Sequence, residues 1–260
     1  MNVFIDPGHG GSEKANRGPT GYVEANGVLD IALRLKPLLQ PHFDVKLSRE
    51  TDITVPLYTR SDMANAWGAD ILVSIHTNAA ANPEAQGIEI FHSKIGEWGG
   101  RFEPEANWLA TCALMFLCKE TGRKNRGIKT RLVGAAGSPI QGMDYYAILR
   151  RTGCPAIIVE AGFHTNPEEE ALLKTPEFRQ KIAEAIAKGT LYYAGLYKDE
   201  EKQEGPFKDV PPNHWAVKAI EYAKKNEFMK GFPDGTFRPE APLTRAQMAS
   251  VLFKLLQNPD

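Results

Sequence analysis

The 260-residue chain has few cysteines: Cys112, Cys118 and Cys154 form an odd set with no CxxC pair. A disulfide framework is therefore not expected, and a chain this long buries enough core to need none. Cys112 falls at helical spacing with Leu109, Ala113, Phe116 and Leu117, so it reads as a small buried hydrophobe rather than a redox group. No apolar run approaches the roughly 18 residues of a membrane span. An excess of one charge is also missing. Lys plus Arg is 31 against 32 acids, a net charge of -1, which argues against a dedicated nucleic-acid binder. The opening Met1-Asn2-Val3-Phe4-Ile5-Asp6 lacks the charged region, apolar region and cleavage site of a secretory signal. What remains is ordinary: 42% hydrophobic and 24% charged residues exclude disorder and collagen-like repeats.

Length gives a prior of one to two domains, and one composition break divides the chain. Lys198 to Pro206 is charged, poor in apolar residues and ends in Gly205-Pro206, which reads as a linker. Domains are therefore expected at 1–197 and 207–260, with 198–206 between them. In the first, Val3–Ile5, Val45–Leu47, Ile71–Ile75, Ile88–Phe91 and Ala156–Val159 read as buried strands. Val28, Ile31, Ala32, Leu35 and Leu39 repeat at helical spacing, with Pro37 expected to kink or shorten that helix. Phe178, Ile182, Ala185 and Ile186 mark a closing helix. Such alternation predicts an α/β fold, a mostly parallel sheet flanked by helices. The last segment reads as a small helical module. Asn213 is expected to cap a helix burying Ala216, Ala219, Ile220 and Ala223; Thr244 and Gln247 form a capping box for a second, with the face Met248, Val251, Leu252 and Leu255. A unit this small needs docking or self-association.

Three apolar strands end in ionisable groups. The first runs into Asp6-Pro7-Gly8-His9-Gly10-Gly11, the third closes on His76, and Ile157-Ile158-Val159 leads to Glu160. The carboxyl edge of an open α/β sheet is where such folds place their sites. Glu24 opens the first helix and is positioned to reach the His9 loop. Two imidazoles and a carboxylate describe a catalytic zinc site, with Glu160 as the unligated acid/base. Each element has another reading. His9 also suits a tight turn, Glu24 suits a helix N-terminus without metal, and Glu160 suits pairing with Arg150 or Arg151. A dinucleotide-binding GxGxxG fails because Glu13 stands where the last glycine belongs. His164, nearest the Glu160 loop, is the expected substrate contact among the remaining histidines.

These residues resemble the zinc-dependent N-acetylmuramoyl-L-alanine amidases of the Amidase_3 family. The likeness is carried by Asp6-Pro7-Gly8-His9-Gly10-Gly11, Glu24, Ser48-Arg49-Glu50-Thr51-Asp52, Leu57-Tyr58-Thr59-Arg60, Ala64-Asn65, Ser74-Ile75-His76-Thr77-Asn78-Ala79 and Glu160-Ala161-Gly162-Phe163-His164-Thr165-Asn166. It implies one Zn2+ held by His9, Glu24 and His76, and catalysis by Glu160. The implied reaction is hydrolysis of the amide between N-acetylmuramic acid and L-alanine in peptidoglycan, with Asn78 and Glu89 orienting substrate or holding loops. A zinc peptidase cutting within stem peptides, or a non-catalytic wall-binding protein, is the alternative.

The C-terminal segment resembles a single S-layer homology motif. Phe207-Lys208-Asp209-Val210, His214-Trp215-Ala216, Gly231-Phe232-Pro233-Asp234-Gly235-Thr236-Phe237-Arg238-Pro239 and Leu243-Thr244-Arg245-Ala246 carry that likeness. It implies binding of an anionic secondary wall polymer, with Lys230 and Arg245 as anion contacts and Trp215 and Phe237 in the core. A single copy where such modules usually come in threes suggests self-association. The expected place of action is the cell wall. Without a leader in this chain, the enzyme is expected to be a holin-released phage endolysin or a processed or lysis-released host enzyme.

Overall fold

The computed structural model describes residues 1–198, 206–210 and 214–257. The chain forms two compact units, Met1–Tyr197 and Lys198–Asp260. The segment read as a linker lies almost wholly outside the described residues, as does Asn213.

In the first unit the chain order is β1 (Asn2–Pro7), α1 (Glu24–Leu39), β2 (Asp44–Leu47), α2 (Leu57–Trp67), β3 (Ile71–Asn78), β4 (Ile88–His92), α3 (Glu103–Thr121), β5 (Asn125–Lys129), α4 (Ala147–Arg151), β6 (Ala156–Phe163), α5 (Pro167–Leu173) and α6 (Pro176–Tyr193). The strands form one sheet in the order β2-β1-β3-β6-β4-β5. The β2-β1-β3-β6 part is parallel; β4 runs antiparallel to β6 and parallel to β5. The sheet is therefore mixed but mostly parallel. β5, with the sequence Asn-Arg-Gly-Ile-Lys, carries no alternating apolar pattern and was not expected from sequence.

Strand alternation sorts side chains onto two faces. Val3, Ile5, Ile71, Val73, Ile75, Ile88, Ile90, Ile157 and Val159 pack with α1, α3 and α6 in the larger core. Phe4, Leu72, Ala156 and Ile158 face the other way, onto Ala64, Ile148 and Leu149 of α2 and α4. The expected stripe Val28, Ile31, Ala32, Leu35 and Leu39 is fully buried, as are Ile182, Ala185 and Ile186. Pro37 lies in the last turn of α1, which runs two residues beyond it. Cys112 and Cys154 are free and buried, and burial pushes their thiols up to about 11 and about 12.

The alternation also fixes the faces of the site residues. His76 lies opposite Glu160 across β3 and β6, and Glu160 lies opposite Glu89 across β6 and β4. Residues directly opposite on neighbouring strands share a face. The three thus form a row across the sheet on the side of the smaller core.

The second unit contains α7 (Val217–Lys225) and α8 (Arg245–Gln257). The capping box forms as expected: Thr244 N–H donates to Gln247 Oε1 at 2.8 Å and Gln247 N–H to Thr244 Oγ1 at 3.2 Å. Asp209 accepts the N–H groups of Phe237 and Arg238, both at 2.7 Å, tying the unit's start to its turn-rich loop. Phe237 packs on Phe207 with ring centroids 5.1 Å apart. Other expectations fail here. Trp215 is 87% exposed rather than core, and Ala219 is exposed while Ile220 is buried. On α8, Met248, Leu252, Phe253, Leu255 and Leu256 are all exposed. Two short helices enclose too little volume to cover both apolar faces.

Candidate metal centre and active site

The loop after β1 is bent back on itself by the backbone. His9 takes a left-handed φ of +57°, uncommon for a residue with a Cβ, and Gly10 and Gly11 follow with positive φ. Two buried arginines fix this shape. Arg60 on α2 donates to Asp6 Oδ1 at 2.7 Å, Pro7 O at 2.8 Å and His9 O at 2.7 Å. Arg49 donates to Pro7 O at 3.1 Å, Gly8 O at 2.8 Å and Ala25 O at 2.7 Å. Asp6 also accepts from Ser48 at 2.6 Å and Ser74 at 2.8 Å. Burial by itself would raise the Asp6 carboxyl; Arg60 and the two hydroxyls overcome that and hold it below its ordinary range. Gly8 lies against the His76 ring, and a Cβ there would overlap the imidazole.

Glu24, the first residue of α1, is 1% exposed and lies between the two histidines. Its Oε1 accepts from Thr77 N–H at 2.9 Å and lies 3.0 Å from His76 Nδ1. Its Oε2 accepts from Asn16 Nδ2 at 2.8 Å and lies 3.3 Å from His9 Nε2. Burial opposes ionisation of Glu24, but the hydrogen bonds and charge of His76 and His9 hold it well below the usual carboxylate range. Burial likewise opposes a charged His76, and Glu24 outweighs it, raising the imidazole to about 9. Donor atoms of His9, Glu24 and His76 lie within 4.8 Å of one another. This is the donor chemistry of a His2Glu zinc centre, and the residues fit such an ion.

Glu160 contrasts with Glu24. Its Oε2 is sealed from solvent with no hydrogen-bond partner among the described residues. Burial, reinforced by Glu24 and Glu89 and opposed by His76, pushes its carboxyl up to about 7. The arginine pairing considered from sequence does not form. Arg150 donates to the Asp144 and Tyr145 carbonyls, and Arg151 pairs with Asp62 and Glu97.

The remaining sequence candidates fall in different places. His164, the expected substrate contact, is 1% exposed; its Nδ1 lies 2.9 Å from Thr77 Oγ1, and Thr77 is the residue whose N–H holds Glu24. Asn78 donates to Glu89 Oε1 at 2.8 Å, and Glu89 is buried beside Arg126 and Lys129. Lys230 is exposed and 3.4 Å from Glu227, and Arg245 is exposed at the start of α8. Sequence reading assigned no role to Asp6, Arg49, Arg60, Asn16 or Thr77. A charge directly after Val3-Phe4-Ile5 was the available signal for Asp6. Arg49, Arg60 and Thr77 stand in motifs that carry the family likeness, which was the signal available for them; Asn16 stands in none of those motifs.

A mixed α/β sheet whose edge gathers two imidazoles and two unlike carboxylates defines a metal-dependent hydrolase. Residues 3–192 match the profile of the Amidase_3 family, N-acetylmuramoyl-L-alanine amidase, and residues 206–249 match the S-layer homology domain. The chain is 33% identical over 225 aligned residues to the N-acetylmuramoyl-L-alanine amidase AmiA of Escherichia coli, covering 76% of this chain and 78% of AmiA. An N-acetylmuramoyl-L-alanine amidase structure from Clostridium difficile 630 superposes with a TM-score of 0.64 at 30% identity, over 78% of this chain and 98% of that one. Cwp6 from Clostridium difficile gives 0.66 at 32% identity, over 74% of this chain but 29% of its own length. The chain belongs to the N-acetylmuramoyl-L-alanine amidase family. The family is zinc-dependent, and the activity of this chain is amide hydrolysis in peptidoglycan, with an S-layer homology module that binds cell-wall polymers. Among the described residues no helix is long and apolar enough to cross a membrane.

Two outcomes are expected. Arg60→Ala leaves Asp6 as an uncompensated buried charge and costs roughly 3–5 kcal/mol in urea unfolding; a loss below about 1 kcal/mol would show that the pair does not anchor the loop. A zinc ion held by His76 would require its neutral imidazole, whereas Glu24 favours the charged form and raises it to about 9. Calorimetry in buffers of different ionisation enthalpy should therefore register about one proton released per zinc at pH 7, with affinity climbing toward pH 9. Equal affinity at pH 6.5 and 8.5 would contradict this.

Proposed function

We propose that His9, Glu24 and His76 hold a single zinc ion and that Glu160 stays outside its coordination as the proton carrier. The contrast between the two carboxylates supports this reading most. Glu24 is enclosed by four partners that fix both its oxygens, whereas Glu160 keeps one buried oxygen without any. Bound zinc supplies Lewis acidity, polarising a carbonyl oxygen and easing proton loss from water. Glu160, with a carboxyl near neutrality, takes the proton of the attacking water and delivers it to the departing nitrogen. The C–N bond between lactyl carbonyl and alanine breaks; the glycan keeps the carboxylate and the stem peptide leaves with a free amine. Asn78 holds Glu89 in the row beside Glu160.

Glu160→Gln tests this role, because an amide cannot take the proton. Mass spectrometry of products from purified peptidoglycan should show release of stem peptides with N-terminal alanine falling at least about 10³-fold, with zinc content unchanged. Substantial residual turnover would overturn the role. The same variant has a stability signature. A carboxyl raised from its ordinary value near 4.5 to about 7 weakens the metal-free fold as pH rises through that window. Glu160→Gln should therefore stabilise the metal-free protein at pH 8 by on the order of 2 kcal/mol and have little effect at pH 4.

We further infer that 207–260 is a separate module that binds an anionic secondary wall polymer and self-associates through the apolar face of α8. Arg245, beside Thr244, Met248 and Leu252 in an open groove, is the favoured anion contact; Lys230 is already engaged by Glu227. Deleting 207–260 should leave a folded amidase that is monomeric in sedimentation and binds walls weakly, while the full chain sediments as an oligomer. A monomeric full chain counts against self-association, and an unfolded deletion product against the domain boundary.

A further inference from the structure

We propose that Arg126 and Lys129 form a subsite for a carboxylate of the stem peptide, a reading that rests on the amidase assignment. β5 is the outer strand of the sheet, where lysine and arginine ordinarily point to solvent and discourage edge pairing. Here both cations turn inward onto one buried carboxylate. Arg126 Nε lies 2.7 Å and Lys129 Nζ 2.5 Å from Glu89 Oε2, while Glu89 Oε1 is taken by Asn78. Residues three apart on a regular strand face opposite ways. The register of β4 and β5 shows how these two come to share a face: Ile88 pairs with Asn125 and Ile90 with Ile128, so β5 spends one extra residue. Gly127, at φ +90°, takes up that bulge.

The cluster carries two positive charges against one negative, in a chain whose net charge is -1. The excess is local. Both side chains are about a third exposed, so each is held by Glu89 and still open to a ligand. Arg126 also lies 4.7 Å over the Phe163 ring, which fixes the plane of its guanidinium. The next cation along, Arg131, is occupied, lying 3.8 Å over Tyr145.

Position supplies the rest. Glu89 stands directly opposite Glu160, on the side away from His76. The donor cluster and the cation pair therefore flank the proton carrier from opposite sides. In the substrate, the muramoyl carboxyl is tied up in the scissile amide, whereas the stem peptide carries free carboxylates. The side of the site with excess positive charge thus receives the leaving peptide, and a planar guanidinium beside an ammonium suits a carboxylate.

The test compares purified peptidoglycan with the same polymer after carbodiimide-coupled amidation of its carboxylates. Release of stem peptides is followed for the full-length wild type, Lys129→Gln, Arg126→Gln and the charge-preserving Lys129→Arg. Melting temperature and zinc content check each fold. The wild type should cleave the native polymer with a kcat/KM about tenfold or more above the amidated one. Lys129→Gln and Arg126→Gln should each shrink that ratio, chiefly through KM on native polymer, and Lys129→Arg should retain most of it. Equal wild-type rates on both polymers, or an undiminished ratio in both glutamine variants, would overturn the subsite and leave the amidase standing. Cleavage of neither polymer would instead remove the amidase reading on which the subsite rests.

Discussion

One buried carboxylate, Glu24, is the interaction on which this sheet edge depends. A charge that is 1% exposed persists only where its surroundings compensate it. Here compensation comes from His9 and Asn16 of the β1–α1 loop and from the His76 side chain and Thr77 N–H of β3. Each must be held in place before Glu24 can ionise. Arg49 and Arg60, anchored on Asp6 and on loop carbonyls, hold His9 in its left-handed backbone. Gly8 leaves room for the His76 ring. His164 supports Thr77 from below. What this shell supplies is electrostatic preorganisation: the donors are already assembled around a charge.

The same edge keeps two glutamates in opposite states. Glu24 is driven well below the ordinary carboxylate range by its histidine partners, while Glu160, a strand away, is raised to about 7 by burial without a hydrogen bond. Environments that push paired acids apart assign them different tasks. Strand register makes the separation possible. His76, Glu160 and Glu89 lie in one row across three adjacent strands, so each carboxylate has a fixed neighbour. On the far side of Glu89, Arg126 and Lys129 return positive charge to a row otherwise rich in acids.

Much of this was legible in the sequence because burial leaves a periodic trace. Val3–Ile5, Ile71–Ile75 and Ala156–Val159 end in His9, His76 and Glu160, and parallel pairing alone brings those ends together. Residues that act through tertiary contacts leave no such trace. Arg49 and Arg60 stand in motifs that carry the family likeness, but their burial and their hold on the His9 loop show only in the fold. β5 was invisible because an edge strand with a bulge has neither apolar alternation nor two buried faces. His164 shows the converse: proximity in sequence to Glu160 says nothing about depth, and the turn after β6 buries it against Thr77. In the second unit, helical spacing located α8 and its capping box but not its exposure, because burial of Met248 and Leu252 requires a partner surface that this short segment does not itself contain.

In the proposed site His9, Glu24 and His76 bind the metal and Glu160 does not. Diffraction from zinc-loaded crystals, recorded on both sides of the zinc absorption edge, tests it directly. The expected map has a single anomalous peak within about 2.0–2.2 Å of one nitrogen each from His9 and His76 and an oxygen of Glu24, with the Glu160 carboxylate outside that shell. A peak that includes Glu160 among its ligands, or that lies away from Glu24, would contradict the assignment of binding to one carboxylate and proton transfer to the other.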